Sequence, residues 1–153
     1  MFLIMAVAAS KRSTCARRDV GCVLVNASHD VIAIGYNGGP RKSAHCKDEP
    51  CPGAGHASGT GLELCAAIHA EQNALLRCHG SEVHTAYVTA SPCMHCVKML
   101  VNTMCRRIVF LEEYSQLGAR TYWHEHRPMS YDNEENAFMP IYSWSQYSGV
   151  LPQ

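Results

Sequence analysis

The stretch that decides the fold is Val83-His-Thr-Ala-Tyr-Val-Thr-Ala-Ser-Pro-Cys-Met-His-Cys96. Its first half, residues 83–90, is rich in β-branched side chains and predicts a strand. Ser91 and Pro92 then predict the start of a helix, with Ser91 as the capping residue and Pro92 in the first helical position. A strand that passes directly into a helix is typical of α/β proteins, which place their functional sites at such junctions.

The flanking segments continue this alternation of strands and helices. A loop over residues 38–61 contains six Gly and three Pro, and a loop this long is expected to be functional or tied down. The order predicts one α/β domain over residues 1–153, with a central mixed sheet of about five strands and an atypical tail from about residue 121. We predict strands over 21–25, 31–35, 107–111 and 141–144, and helices over 1–15, 62–78, 94–105 and 112–119.

The composition narrows the class of protein. The chain has 153 residues with 13 basic and 13 acidic side chains. This zero net charge excludes most proteins that bind a nucleic-acid backbone by bulk charge. The apolar run over residues 1–9 follows no basic residue and is too short for a bilayer, so we expect a buried helix and no membrane segment. Nine Cys and nine His together indicate metal binding in a reducing compartment, since an odd number of Cys cannot all pair as disulfides.

His69, Cys93 and Cys96 are the predicted ligands of a catalytic zinc ion. Cys93 and Cys96 are three residues apart at a helix start, which puts both sulfurs on one face and favours their thiolate forms. With one imidazole they leave the fourth position of a tetrahedral Zn²⁺ open, as in catalytic zinc sites. Glu71 is about 200° from His69 around a helix, so both reach one point only beyond the helix N-terminus. There Glu71 is suited to carry protons between water and substrate.

The pattern His-x-Glu followed by Pro-Cys-x-x-Cys is the signature of zinc nucleobase deaminases. Longer stretches resemble deoxycytidylate deaminases of the bacterial and phage type, from about residue 2 to about residue 120. They are Arg12-Ser-Thr-Cys-Ala-Arg-Arg-Asp-Val-Gly21, Gly35-Tyr-Asn-Gly38, Ile68-His-Ala-Glu-Gln-Asn-Ala74 and Ser91-Pro-Cys-Met-His-Cys96.

The resemblance implies the cytidine deaminase-like fold, with three layers in the order α/β/α. It also implies zinc-dependent hydrolysis of dCMP to dUMP, in which Glu71 protonates ring nitrogen N3 and then the leaving ammonia. Asn37 would contact the nucleotide, and Arg17 or Arg18 would suit its 5′-phosphate. The other implied substrate contacts are Ala70, Ser91 and Tyr114.

The same resemblance implies a second, structural zinc. Cys15, Cys46 and Cys65 match positions that supply it, Cys51 is the expected fourth ligand, and His45 and His56 are alternatives. Such a site would tie the end of the first helix, the long loop and the segment before Glu71 together. Three further cysteines are expected to pack in the core: Cys22, Cys78 and Cys105.

Family members are often hexamers regulated by dCTP and dTTP, so we expect a homo-oligomer and no nucleic-acid or membrane partner. The expected location is the cytoplasm, or the host cytoplasm for a phage protein. The tail after residue 120 departs from the family, which leaves regulation and oligomeric state open. Two alternative functions are a deaminase acting on a base within tRNA and a non-catalytic zinc module that binds a protein. Glu71 disfavours the second, because a structural zinc site does not need it.

Overall fold

The computed structural model describes residues 1–57, 59–114, 117–126 and 137–140. No helix in these ranges is long and apolar enough to cross a membrane. The strands are β1 Gly21–Val25, β2 Val31–Tyr36, β3 Thr85–Ala90, β4 Arg107–Glu112 and β5 Ala137–Pro140. The helices are α1 Phe2–Ser10, α2 Ala70–Leu75, α3 Met94–Val101 and α4 Leu117–His126, with 3₁₀ turns at Leu62–Leu64 and Gly80–Glu82.

The five strands form one mixed sheet in the order β2-β1-β3-β4-β5. Strand β1 is antiparallel to β2 and β3, whereas β3, β4 and β5 are parallel to one another. The start of β1 and the ends of β2, β3 and β4 therefore meet at one edge of the sheet. The predicted strand–helix junction at the end of β3 lies at this edge.

Helices cover both faces of the sheet, which confirms the predicted three-layer α/β architecture. Side chains alternate between the two faces of a strand, and all five residues of β1 are buried. Val23 and Val25 pack with Ala6 of α1 on one face. Cys22 and Leu24 face the larger core on the other side, which also contains Leu100, Phe110 and Trp123 from α3, β4 and α4.

The helix predicted over residues 62–78 is wrong, and only Ala70–Leu75 is α-helical. The reason is that Ile68 pairs with Gly38 through two backbone hydrogen bonds, of 2.8 and 3.1 Å. These bonds keep the chain before His69 extended. The helix starts instead at His69, whose backbone N–H donates to Oε1 of Gln72 at 2.8 Å.

The start of α3 also differs from the prediction, because Cys93 rather than Ser91 is its N-cap. The Cys93 carbonyl accepts the first helical bond, from the N–H of Val97 at 2.9 Å. The Ser91 hydroxyl accepts a hydrogen bond from the backbone N–H of Tyr114 at 2.6 Å. Ser91 therefore joins two chain segments at the sheet edge and does not cap the helix.

Three other helix boundaries differ from the predicted ones. Helix α1 ends at Ser10 because residues 11–13 donate to carbonyls three residues back, in tight turns. Helix α3 ends at Val101, and Asn102 and Thr103 continue in a turn. The helix predicted over 112–119 starts later, at Leu117, because β4 continues through Glu112. The strand predicted over 141–144 lies outside the described residues.

Candidate active site

The three predicted zinc ligands come together at the starts of two helices. His69 is the N-cap of α2, Cys93 is the N-cap of α3, and Cys96 lies in the first turn of α3. His69 Nδ1 is 3.4 Å from the sulfur of Cys93 and 3.4 Å from that of Cys96. A tetrahedral zinc with ordinary Zn–N and Zn–S bonds separates such ligand atoms by about 3.6 Å. The donor set and its spacing therefore fit Zn²⁺.

Groups of three or more His, Cys, Asp or Glu side chains could bind a metal ion if their ligand atoms all lie within 4.8 Å of one another. Among the described residues, His69, Cys93 and Cys96 form the one group that meets this condition. The hydrogen bond from Cys96 stabilises the Cys93 thiolate and lowers its pKa to about 3. The same interaction raises the pKa of the Cys96 thiol well above its usual range, with burial acting in the same direction. The hydrogen bond with Cys93 also raises the pKa of His69. A zinc ion would displace the protons that these ligand groups carry, because Cys binds it as a thiolate and His as a neutral imidazole.

Glu71 lies in the first turn of α2 and is 3% exposed. Burial is the main cause that raises the pKa of its carboxyl group. It lines the same pocket as His69 and Cys93. Because α2 begins at His69, both side chains reach one point at the helix start, as the rotation between them requires. A buried carboxyl group beside a metal-ligand set can exchange protons with a substrate in the pocket.

The pocket extends from these residues to the protein surface. Its buried part includes Ala70, Ser91 and Asn37, and its half-buried part includes Arg18 and Tyr114. The remaining predicted substrate contact, Arg17, lines it as well. Every side chain predicted to contact the substrate therefore lies on one cavity.

Asn37 follows β2 and is 7% exposed. Its side-chain oxygen accepts a hydrogen bond from the N–H of Val20 at 2.8 Å, and its side-chain nitrogen donates to the carbonyl of Arg18 at 2.8 Å. Both ends of this amide are therefore bonded to the segment that precedes β1. Asn37 fixes that segment beside the pocket.

The two arginines differ in their partners. The Arg17 guanidinium donates to two carbonyls of the long loop, those of Ala57 and Thr60, the second at 3.0 Å. The Arg18 guanidinium donates to Oε2 of Glu112 at 2.8 Å and lies 5.3 Å from the centre of the Tyr114 ring. Arg17 thus supports the loop, and Arg18 bridges the sheet edge to the end of β4.

The four cysteines predicted to bind a second zinc are neighbours, but they do not form a closed ligand set. The sulfurs of Cys46 and Cys51 are 3.6 Å apart, and the N–H of Cys51 donates to Cys46 at 3.5 Å. Cys15 and Cys65 both line the pocket. The pKa of Cys51 is lowered, chiefly by a hydrogen bond with the backbone of Ala66.

The two alternative ligands and the predicted core cysteines have other surroundings. The His45 ring lies 3.7 Å from Asp48, and the His56 ring packs against Gly61. Cys22 and Cys105 are fully buried, as predicted, whereas Cys78 is half-buried.

The sequence prediction missed four apolar residues of the pocket wall, which are Val20, Leu62, Ala67 and Ala90. The helix wrongly predicted over 62–78 concealed two of them. In the structure the first part of this segment is a 3₁₀ turn over Leu62–Leu64 followed by non-helical chain up to His69.

A mixed sheet with helices on both faces, a His-Cys-Cys set at two helix starts and a buried Glu beside it define the class of zinc nucleobase deaminases. Residues 1–112 match the family described as the cytidine and deoxycytidylate deaminase zinc-binding region. The chain belongs to this family.

Similar proteins include deoxycytidylate deaminases of two different lengths. The one from Schizosaccharomyces pombe is 40% identical over 119 residues, which are 74% of this chain but 37% of that protein. This chain therefore spans little more than a third of the fungal relative. The one from Mycobacterium phage D29 is 38% identical over 120 residues, which are 73% of this chain and 92% of that protein.

A solved structure shares the fold. The dCMP deaminase from cyanophage S-TIM5, crystallised in complex with dCMP and dUMP, has a TM-score of 0.64 and 24% identity to this chain. The match covers 82% of this chain and 89% of that one.

Proposed function

We propose that this chain catalyses the zinc-dependent hydrolytic deamination of dCMP to dUMP. The observation that carries the proposal is the position of Glu71, buried in one pocket with His69 and Cys93. A structural zinc site needs no such carboxyl group. The fungal and phage relatives named deoxycytidylate deaminases support the choice of substrate.

The residues divide the chemistry among them. His69, Cys93 and Cys96 hold the zinc, which activates water as a nucleophile when it is bound. Glu71 takes a proton from water and delivers it to ring nitrogen N3 of the base. It then carries the second proton of that water to the amino group, which leaves as ammonia while the oxygen becomes the C4 carbonyl. The buried walls formed by Ala70 and Ser91 exclude bulk water, so the proton remains between Glu71 and the base.

The outer part of the pocket suits the sugar and the phosphate. Asn37 retains one free lone pair and one free N–H beyond its two backbone bonds, and these can contact the nucleotide. Arg17 and Arg18 supply the positive charge that a 5′-phosphate requires, and Tyr114 lies beside Arg18. The neutral whole chain agrees with a small anionic substrate held by local charges.

A substrate panel tests this proposal. Zinc-loaded chain is assayed for ammonia release from dCMP, deoxycytidine and a tRNA anticodon stem-loop. Charge-assisted hydrogen bonds to the phosphate predict a kcat/KM for dCMP that is roughly 100-fold above that for deoxycytidine. A preference for the stem-loop would favour the tRNA-deaminase alternative, and no turnover of any substrate would favour the non-catalytic zinc module.

We further propose a structural zinc bound by Cys15, Cys46, Cys51 and Cys65. Its support is the 3.6 Å distance between the sulfurs of Cys46 and Cys51 and the resemblance of these positions to the family. Such a site would join the chain just after α1, at Cys15, to the long loop that Arg17 contacts. Cys46 is 5% exposed, and its sulfur lies next to that of Cys51.

Zinc analysis tests the second site. We expect about two zinc ions per chain in the wild type and about one in Cys46→Ser, because the variant removes one of four ligands. Cys46→Ser should have a lower melting temperature than the wild type and a nearly unchanged kcat, since the site supports the loop and not the chemistry. Cys78→Ser, a half-buried thiol outside the cluster, is the matched control and should keep both ions. One zinc per wild-type chain would contradict the second site.

The proposal extends to assembly and location. We propose a homo-oligomer, hexameric as in the family, and a cytoplasmic location, or the host cytoplasm for a phage protein. Leu76 is an apolar side chain that is 75% exposed, which supports contact between copies of the chain. The nine cysteines form no disulfide with one another, which supports a reducing compartment. Sedimentation of the zinc-loaded chain tests the first point. Activity measured with added dCTP and dTTP tests whether they act as effectors.

A further inference from the structure

The pocket residue Arg18 is paired with an acidic side chain, Glu112, that the proposed mechanism does not use. Glu112 ends β4, and its Oε2 accepts a hydrogen bond of 2.8 Å from Arg18. The Glu112 side chain is 72% exposed and that of Arg18 is 31% exposed, so the pair lies between pocket and solvent. We propose that Glu112 limits the number of phosphates the pocket accepts, favouring nucleoside monophosphates over triphosphates. This inference rests on the proposed function.

The main chain at Glu112 is held at the sheet edge. The Glu112 carbonyl accepts a hydrogen bond from the N–H of Ser91 at 2.8 Å. Ser91 in turn accepts one from the N–H of Tyr114 at 2.6 Å, and the Tyr114 ring faces Arg18. Glu112 is therefore anchored between two pocket residues, and its charge remains beside Arg18.

The charges at the rim suit a single phosphate group. A guanidinium has five donors, so Arg18 can bind a carboxylate with one edge and a phosphate with another. The first phosphate of a nucleotide would then lie next to Glu112. Arg17 and Arg18 are the basic side chains among the described residues that line the pocket. A second or third phosphate would therefore find no additional lysine or arginine in this lining. Such phosphates extend toward solvent past Glu112, where like charges repel.

The test compares Glu112→Gln with Glu113→Gln. Glu113 is the next residue, but it pairs with Arg120 at 3.8 Å, whereas Glu112 pairs with the pocket residue Arg18, so Glu113 is a matched control. The kcat/KM of the zinc-loaded full chain is measured for dCMP and dCTP, and their ratio is independent of the active fraction of each preparation. For a partly exposed charge we expect Glu112→Gln to raise the dCTP-to-dCMP ratio by about three- to fivefold at low salt. Glu113→Gln should leave it unchanged.

Salt and binding give two further readouts. Salt screens the interaction between exposed charges. The increase in the dCTP-to-dCMP ratio of Glu112→Gln should therefore become smaller at high ionic strength, whereas a purely structural effect would not depend on salt. Calorimetry with dUTP and dUMP should give a matching shift in relative affinity without turnover. An unchanged ratio in Glu112→Gln, or an equal rise in Glu113→Gln, would overturn the inference. Absence of dCMP turnover in the wild type would overturn the proposed function, while the calorimetric ratio still reports on Glu112.

Discussion

The Asn37 side chain connects the end of β2 to the segment that precedes β1. Its amide bonds to Val20 and to Arg18, while its own N–H donates to the Val20 carbonyl at 3.1 Å. The direction in which Arg18 leaves the main chain therefore depends on Asn37. The Asn37 amide is buried, so removing it would leave the main-chain groups that it contacts without hydrogen-bond partners. Water could not fully replace these hydrogen bonds.

Asn37→Ala is expected to lower the free energy of unfolding by about 1–3 kcal/mol, since two main-chain groups lose their buried partner. It should also raise KM for dCMP, because the segment bearing Arg18 is released. Urea unfolding and steady-state kinetics measure the two effects. Asn26→Ala is the matched control. Asn26 also bonds two backbone N–H groups, those of Ser28 and Asp30, but in the β1–β2 turn away from the site. It should change stability without changing KM, and an equal KM effect in both variants would contradict this role for Asn37.

Helix α2 is the element whose placement decides whether the site forms. It rests directly on β2, because a Cβ atom at Gly35 would lie 2.1 Å from the carbonyl oxygen of Ala70 and 2.6 Å from the nitrogen of Ala74. Both contacts are to main-chain atoms, which cannot rotate away. His69 and Glu71 lie at the start of this helix, so the close approach at Gly35 sets their position relative to α3.

Gly35→Ala should lower the free energy of unfolding by about 1–3 kcal/mol, because the added methyl group overpacks the contact between helix and strand. It should also reduce bound zinc, since His69 moves with the helix. Gly55→Ala is the control, because a Cβ atom there meets nothing within 4 Å. Its stability should stay within about 0.5 kcal/mol of the wild type. Urea unfolding with zinc analysis decides, and a Gly35→Ala chain of wild-type stability would contradict this account.

The sequence predicted those elements whose signals are local. The spacing of Cys93 and Cys96 after a strand, and the His69-Ala-Glu71 triplet, depend on few neighbouring residues, and the structure brings them together. The helix over 62–78 failed because its break is caused by Gly38, thirty residues earlier in the chain, which pairs with Ile68. The pair of Arg18 and Glu112 could not be predicted for the same reason, since only the sheet order brings them together.

The whole molecule concentrates its chemistry at one edge of the sheet. Four strand ends meet there. Arg18 lies shortly before the start of β1, and Asn37 directly follows β2. Ser91 directly follows β3, and Glu112 is the last residue of β4. Each side chain comes from a different part of the sequence, so the site requires the complete fold. The opposite edge, which includes the turn before β3, carries none of the proposed roles.

The most direct test of the central claim is dCMP turnover by Glu71→Gln at measured zinc content. The amide keeps the size of the carboxyl group but cannot carry a proton, so we expect kcat to fall by about 10²- to 10⁴-fold. Bound zinc should equal that of the wild type, because Glu71 is not a ligand. Glu82→Gln, an exposed residue in the turn before β3, is the control and should keep the wild-type rate. A wild-type rate in Glu71→Gln at equal zinc content would contradict the account.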